Sequence, residues 1–375
     1  MDAPLKPPIW IDRPADLEKL VDTLLSRQAV AVDTESNSLY AYQEQVCMVQ
    51  FSTESEDYLV DPLAISDLSS LAPIFSSPSI QKVFHAAEYD LICLKRDYGF
   101  EFVDLFDTML AARILGRPGL GLGTMLEQEF GIVVDKRLQR ANWARRPLSH
   151  EMLMYARMDT HYLVALRGIL EEELKRSGRM ELAEEDFRRL TRVPAGTHEN
   201  GEVNCWRISG AQDLTPRQAA VLMELCSFRE ERARSLNQPP FRILQNQTLL
   251  ELAQRMPRKR GDLNQIYGLS PKLIDRFGTS LLAAVERGIV GPPAYRPVYP
   301  RLSDATLWRL DVLRNWRKTA AREIGVESDV VLTREILELI AERNPQNAEE
   351  LQAIMADFPW RYQHFGGQIL EVLNH

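Results

Sequence analysis

The C-terminal half of the chain repeats itself, and this restricts its architecture more than any other feature. At an offset of 88 residues, Leu244 aligns with Leu332, Leu249 with Leu337 and Ala253 with Ala341. Pro257 aligns with Pro345, Leu263 with Leu351, Phe277 with Phe365 and Gly278 with Gly366 at the same offset. Further upstream an offset of 85 pairs Arg229 with Arg314 and Arg232 with Arg317, implying a three-residue gap. Two copies of a helical module of about 75–80 residues follow; solenoid repeats are shorter and more numerous. Gly291-Pro292-Pro293, Pro297 and Pro300 make a stiff connector between the copies. Pro194, Gly196, Gly201 and Gly210 among polar residues mark a linker before the first copy. The expected organisation is a domain over 1–193, a linker over 194–212, a module over 213–290, a linker over 291–300 and a module over 301–375.

The N-terminal region alternates strand and helix signals. A helix over Asp16–Arg27 precedes the apolar run Ala29-Val30-Ala31-Val32. Val46–Phe51 and Tyr58–Val60 flank the polar turn Thr53–Asp57 and read as a hairpin. Lys82–His85 reads as a fourth strand, Ala87–Asp97 as a helix that stops before Gly99, and Val103–Phe106 as a short strand. Apolar spacing of three and four then predicts helices over 107–115, 122–130, 149–157 and 160–177. The pattern is that of an α/β domain with a mixed sheet, closed by helices.

Composition excludes several classes. The 375 residues are 45% hydrophobic, which rules out global disorder. No run of about 18 apolar residues is present, so no membrane-spanning helix is expected. Met1–Trp10 carries Pro4, Pro7 and Pro8 and no apolar core, so no signal peptide is expected either. Cys47, Cys93, Cys205 and Cys226 are widely spaced without a CxxC pair, which argues against a zinc site or disulfide framework and for a reducing cytoplasm. Cys47 and Cys93 lie in apolar runs and read as core. The net charge of −8 conceals a basic block. Residues 1–210 carry 23 basic and 33 acidic groups, residues 211–290 carry 12 and 8, and residues 301–375 carry 9 and 12.

The informative residues are carboxylates. Asp33-Thr34-Glu35 follows the first strand signal. Strand side chains alternate, so Asp33 and Glu35 share a side. Two adjacent acids raise each other's pKa unless a cation lies between them. Asp90 lies one turn inside the helix that follows the strand ending at His85. Tyr155 and Asp159 are one helical turn apart and share a face. Each signal alone has a bland reading: a solvated turn, a helix-surface acid, a core tyrosine beside a surface acid.

The order of parts is distinctive. Asp-x-Glu, then Asp in a strand–helix unit, then Tyr-x3-Asp resembles the DEDD exonuclease superfamily, in the branch with tyrosine in the third motif. Ala31-Val32-Asp33-Thr34-Glu35, His85 before Asp90, Asp107-Thr108, and Asn142-Trp143 followed by Arg146-Pro147-Leu148-Ser149 resemble the ribonuclease D branch. The repeated module is similar to the helicase-and-RNase-D C-terminal (HRDC) domain. The resemblance covers nearly the whole chain, more weakly in the second module, and departs at none of the five motif positions. It implies a ribonuclease H-like mixed sheet with flanking helices, followed by two small all-α modules. It also implies a 3′→5′ exoribonuclease using two divalent ions, Mg²⁺ or Mn²⁺. Asp33, Glu35 and Asp159 would hold one ion, Asp33 would be shared with a second supported by Asp90, and Tyr155 would orient the attacking water. RNA with an accessible 3′ end, tRNA precursors among them, is the implied partner of a cytoplasmic monomer that meets no membrane.

Substrate contacts are read more loosely. His85 either touches the nucleotide or caps the sheet edge. Lys136, Arg137, Arg140, Arg145 and Arg146 flank Asn142 and Trp143, and bases beside an aromatic suit a stacked nucleotide. In the first module Arg258, Lys259 and Arg260, with Arg255, form a basic cluster suited to phosphates. The acidic second module is expected to pack more than to bind. A DNA exonuclease with the same site, or a non-catalytic nucleic-acid-binding protein, remains as an alternative reading.

Overall fold

The computed structural model describes residues 6–196, 205–297 and 301–374. Six strands form one mixed sheet: β1 (Ile9–Ile11), β2 (Ala29–Ser36), β3 (Val46–Ser52), β4 (Asp57–Val60), β5 (Gln81–Phe84) and β6 (Leu105–Asp107). Their order is β1-β4-β3-β2-β5-β6. β2, β3 and β4 run antiparallel in turn, while β5 and β6 continue parallel to β2 and β1 pairs parallel with β4. The helices of this domain are α1 (Pro14–Leu25), α2 (Ala72–Ser76), α3 (Glu88–Tyr98), α4 (Thr108–Ile114), α5 (Leu122–Phe130), α6 (His150–Met158), α7 (Leu163–Arg176) and α8 (Met180–Leu190).

Alternation along β2 sorts its residues into two layers. Val30 and Val32 join Leu17, Leu20 and Leu24 of α1 and Leu91 and Leu94 of α3 in one core. Ala31 faces the opposite core, with Leu163, Leu166 and Leu170 of α7. Asp33 and Glu35 follow Ala31 to that second side, where the chain past α6 returns to the sheet. β3 is buried along its whole length, as its apolar run Val46–Val49 with Phe51 requires of a strand covered on both faces.

The described residues fall into two compact units. Residues 1–36, 46–196 and 301–375 form the first, and residues 37–45 with 197–300 form the second. The second unit contains α9 (Pro216–Leu236), α10 (Pro240–Ile243), α11 (Asn246–Arg255) and α12 (Pro271–Val290). A capping box at Thr215 and Gln218 starts α9. The segment joining β2 to β3 supplies Tyr42 to this core. Tyr42 N–H donates to Asn237 Oδ1 at 3.1 Å, and the Tyr42 hydroxyl donates to Glu230. Part of the expected 194–212 linker, residues 197–204, lies outside the described residues, as do 298–300 of the second. Cys205, Ile208 and Ala211, also expected as linker, are core residues here.

The second module comprises α13 (Asp304–Ile324), α14 (Ser328–Val331), α15 (Arg334–Arg343), α16 (Ala348–Ile354) and α17 (Pro359–Asn374). It packs on α8 of the first unit. Arg361 is fully buried, pairs with Glu185, and donates to Asp186 Oδ2 at 2.9 Å and to Val330 O at 3.0 Å. Arg192 pairs with Asp357 at 2.6 Å, and Arg113 pairs with Asp329.

Two sequence expectations need correction. The repeat keeps one offset throughout and has no three-residue gap. Arg229 donates to Leu244 O at 3.2 Å, and Arg317, 88 residues on, donates to Leu332 O at 2.8 Å. Phe228 meets Phe277 edge-on with centroids 5.9 Å apart, and Trp316 meets Phe365 in the same way at 5.9 Å. A slip of three residues along a helix keeps nearly the same face, which is why the wrong arginines aligned. Secondly, Cys205 and Cys226 are disulfide-bonded, whereas Cys47 and Cys93 are buried outside that bond. Their spacing of 21 gave no signal of pairing. The bond also removes the cysteine-based argument for a reducing compartment.

Candidate active site

Three elements converge at one end of the sheet. β2 presents Asp33 and Glu35 just before its register shifts between Glu35 and Ser36. In the antiparallel register Asp33 stands opposite Gln50 of β3, whose side-chain amide donates to Asp33 Oδ2 at 3.3 Å. Gln50 is fully buried, and its Oε1 has no hydrogen-bond partner.

Asp90 is the third residue of α3 and is buried. The turn that delivers it is braced from β6. Asp107 accepts from the backbone N–H groups of Ala86 at 3.2 Å and Ala87 at 2.8 Å while capping α4 through Met109 and Leu110. This brace carries the strained left-handed backbone of Ala86, at φ 63°. Thr34 N–H donates to Asp90 Oδ1 at 3.1 Å, and the Thr34 hydroxyl donates to the same oxygen. α6 starts at the cap Ser149, places Tyr155 near its end, and has Asp159 as its last half-helical residue.

Electrostatics bind these residues into one site. Burial pushes Asp33 well above the usual carboxylate range, and the charges of Asp90, Asp159 and Glu35 push it further. Burial also raises Glu35, reinforced by Asp159 and Asp90. Asp159 rises to about 7 through burial and then the Asp90 charge. Asp90 rises to about 7 through burial, held back by the Thr34 hydrogen bonds. Tyr155 is raised by burial and the nearby acids, so its phenol stays protonated at neutral pH. Among the described residues the leading charges acting on the four acids are those of other carboxylates. Among the described residues no cluster of three or more His, Cys, Asp or Glu is preassembled in metal-holding geometry. The acids are mutually repelling neighbours whose charge asks for a cation. Hard oxygen donors of this kind, with an unpartnered amide oxygen beside them, suit Mg²⁺ or Mn²⁺.

The looser contacts divide. Trp143 is not a stacking surface: it is 1% exposed and packs with Cys47, Met48, Leu59 and Ala156, 6.0 Å from the Tyr155 ring. Arg146 is engaged within the fold. It forks onto Asp61 at 2.6 and 2.7 Å and donates to Cys47 O and Trp143 O, tying the segment before α6 to the sheet. A buried indole and an internally paired guanidinium have the same letters as a nucleic-acid contact, so residue type alone misled. His85 is half-buried, 2.9 Å from Thr108 Oγ1, and burial lowers its pKa to about 4, which keeps the ring neutral. Arg258, Lys259 and Arg260 are exposed. Thr34, Gln50 and Asp107 support the acids from behind and carry no role in the sequence pattern. Thr34 lies inside the Asp-x-Glu motif, and Asp107-Thr108 was noted only as a family flank.

The chain matches the 3′–5′ exonuclease family over residues 8–175 and the HRDC domain family over residues 218–285 and 306–373. It is 30% identical over 356 residues to ribonuclease D of Sphingobium indicum, covering 92% of this chain and 89% of that protein. It superposes on Escherichia coli RNase D with a TM-score of 0.69 and 25% identity, covering 95% of this chain and all of that one. Protein RRP6-like 3 of Arabidopsis thaliana shares 42% identity over 179 residues, but the chain spans only 20% of its length. Fold and site therefore define the class of 3′–5′ exonuclease domains that carry paired HRDC domains. Within that class, the chain belongs to the ribonuclease D family. Among the described residues no helix is long and apolar enough to cross a membrane.

Proposed function

We propose that the chain is a divalent-metal-dependent 3′→5′ exoribonuclease that trims RNA 3′ ends, tRNA precursors among them, releasing nucleoside 5′-monophosphates. The observation that carries this is the convergence of Asp33, Glu35, Asp90 and Asp159, all with pKa raised by burial and by neighbouring carboxylates. Asp33, Glu35 and Asp159 would hold one ion, and Asp33 with Asp90 a second. Bound Mg²⁺ or Mn²⁺ supplies charge relief at the phosphoryl oxygens and lowers the pKa of water.

The chain's own residues do the rest. Tyr155 keeps its proton and orients the attacking water by its hydroxyl. It is a poor base because its pKa lies above the value of about 10 for a free phenol. Thr34 fixes one Asp90 oxygen and leaves the other available. Asp107 holds the turn that aims Asp90. The exposed Arg258, Lys259 and Arg260 lie on the first module and offer sequence-independent phosphate contact. The monomeric state and a cytoplasmic location belong to the same proposal.

The test is a 5′-labelled RNA with an unpaired 3′ tail and its DNA twin. Each is incubated with protein and Mg²⁺ or Mn²⁺, with EDTA and Asp159→Asn as controls. A metal-dependent ladder shortening from the RNA 3′ end, absent in the variant, is expected. Degradation of DNA alone would replace the substrate assignment, and binding without cleavage would replace the enzymatic one.

A further inference from the structure

Immediately past Asp159 the chain enters a buried polar network that the proposed chemistry does not use. Thr160 and Ser52 have no exposed surface, and Asp57 is 7% exposed. Ser52 Oγ donates to Asp57 Oδ1 at 2.7 Å. Its single proton is thereby engaged, so at the 2.7 Å contact between Thr160 Oγ1 and Ser52 Oγ the threonine donates. His161 Nδ1 lies 2.8 and 2.9 Å from the two Asp57 oxygens and donates to that carboxylate. Arg157 closes the group from the other side, its Nε 3.8 Å from Asp57 and its Nη1 donating to Lys6 O at 2.7 Å.

The placement of this network is informative. Ser52 is two residues from Gln50 on β3, about 7 Å along the strand. Gln50 holds Asp33, and Ser52 holds Thr160. One strand therefore grips both halves of the carboxylate site: β2, which carries Asp33, and the end of α6, which carries Asp159. The grip is needed there. Asp159 is a helix C-cap whose own N–H reaches Ala156 O at 3.3 Å, a long bond, and its charge is opposed by Asp90. Without an anchor the last turn of α6 would swing away from the other acids.

We propose that Ser52, Asp57, Thr160 and His161 are positioning residues that hold Asp159 within reach of Asp33 for divalent-ion binding. The proposal rests on the reading of the four acids as metal ligands. Groups that orient a metal ligand from behind are worth about 10- to 100-fold in metal affinity. Thr160→Val keeps the shape and deletes the hydroxyl, whereas Thr160→Ser restores it.

The experiment titrates Mn²⁺ into the full chain without RNA, by calorimetry, alongside the Mg²⁺ dependence of RNA hydrolysis. For Thr160→Val we expect Mn²⁺ affinity to fall by about 10-fold or more. The Mg²⁺ concentration for half-maximal rate should rise in step, more than the rate at saturating Mg²⁺ falls. RNA affinity in EDTA should stay at the wild-type value, and Thr160→Ser should recover the metal affinity. Asp57→Asn, which keeps volume and weakens the bond from His161, should lower Mn²⁺ affinity in the same direction and serves if the valine variant fails to fold. If Asp159→Asn weakens Mn²⁺ binding but folded Thr160→Val or Asp57→Asn does not, the network is only packing and the proposal falls. If Asp159→Asn itself binds Mn²⁺ like wild type, the ligand assignment fails, and the positioning role with it.

Discussion

Thr34 donates twice to one oxygen of Asp90, through its backbone N–H at 3.1 Å and through its hydroxyl. The middle residue of Asp33-Thr34-Glu35 is thus the link between the strand acids and the helix acid. These bonds favour the ionised carboxylate and oppose the upward push of burial that brings Asp90 to about 7. Thr34→Val keeps the backbone bond and removes the other. A hydrogen bond to a charged group is worth about 1.5–3 kcal/mol, so Asp90 should rise by about one to two further pH units. A carboxyl-selective NMR titration in EDTA reads this directly. An unchanged Asp90 midpoint would show that the hydroxyl does not tune it.

The raised acids make the metal-free fold sensitive to alkali. Between about 4 and about 7 the folded state holds protons on Asp90 and Asp159 that the unfolded chain has lost. Their contribution to stability is therefore complete below the unfolded pKa and is lost as pH rises through the folded one. Asp159→Asn should be more stable than wild type at pH 8 in EDTA, by at least ~1 kcal/mol, the equivalent of one pKa unit. The two should converge near pH 4. Mn²⁺ should stabilise wild type and leave the variant nearly unmoved. Thermal melts at the two pH values, with and without Mn²⁺, check both signs.

The cluster of candidate carboxylates was legible because its pattern is local. Asp33 and Glu35 end an apolar strand run, and Tyr155 and Asp159 lie one turn apart on an amphipathic helix. The mixed sheet and its flanking helices followed from the same periodicities. What failed depends on distant partners. β1 is three residues long and exists because it pairs with β4, some fifty residues on. Trp143 and Arg146 were read as contacts, yet their burial is fixed by Cys47, Leu59 and Asp61 on the sheet. Tyr42 gives no local sign that it belongs to the core of a module beginning far downstream. Ser52, Asp57 and Thr160 are ordinary letters at a strand end, a strand start and a helix end. Only the tertiary fold makes them one network.

Arg361 should decide whether the second module stays on α8. It is buried with Glu185 and Asp186, and Glu185 also accepts from Trp360 N–H at 2.8 Å. Removing one partner of such a pair leaves an uncompensated buried charge, at a cost of about 3–5 kcal/mol. Arg361→Ala should therefore open the helices of the second module to limited proteolysis and lower the melting temperature. The double variant Glu185→Leu with Arg361→Met removes both charges and should recover most of that loss. A single variant as protease-resistant as wild type would show that the apolar contacts suffice.

The first module's basic cluster makes a prediction separable from catalysis. Arg258, Lys259 and Arg260 are exposed, with Arg258 4.0 Å from Glu286 and Arg260 paired to Asp275, so each surface pair is weak and can be exchanged for phosphate. Each phosphate contact contributes about 0.7 to the slope of log affinity against log salt for a single strand. Replacing all three by Ala should lower that slope by about two and weaken RNA binding at low salt. Mn²⁺ affinity and the rate on a saturating short oligomer should be unchanged, because none of the three is a ligand in the proposed metal site. Filter binding of one labelled RNA across a salt series measures the slope. An unaltered slope would move the phosphate path off this face of the module.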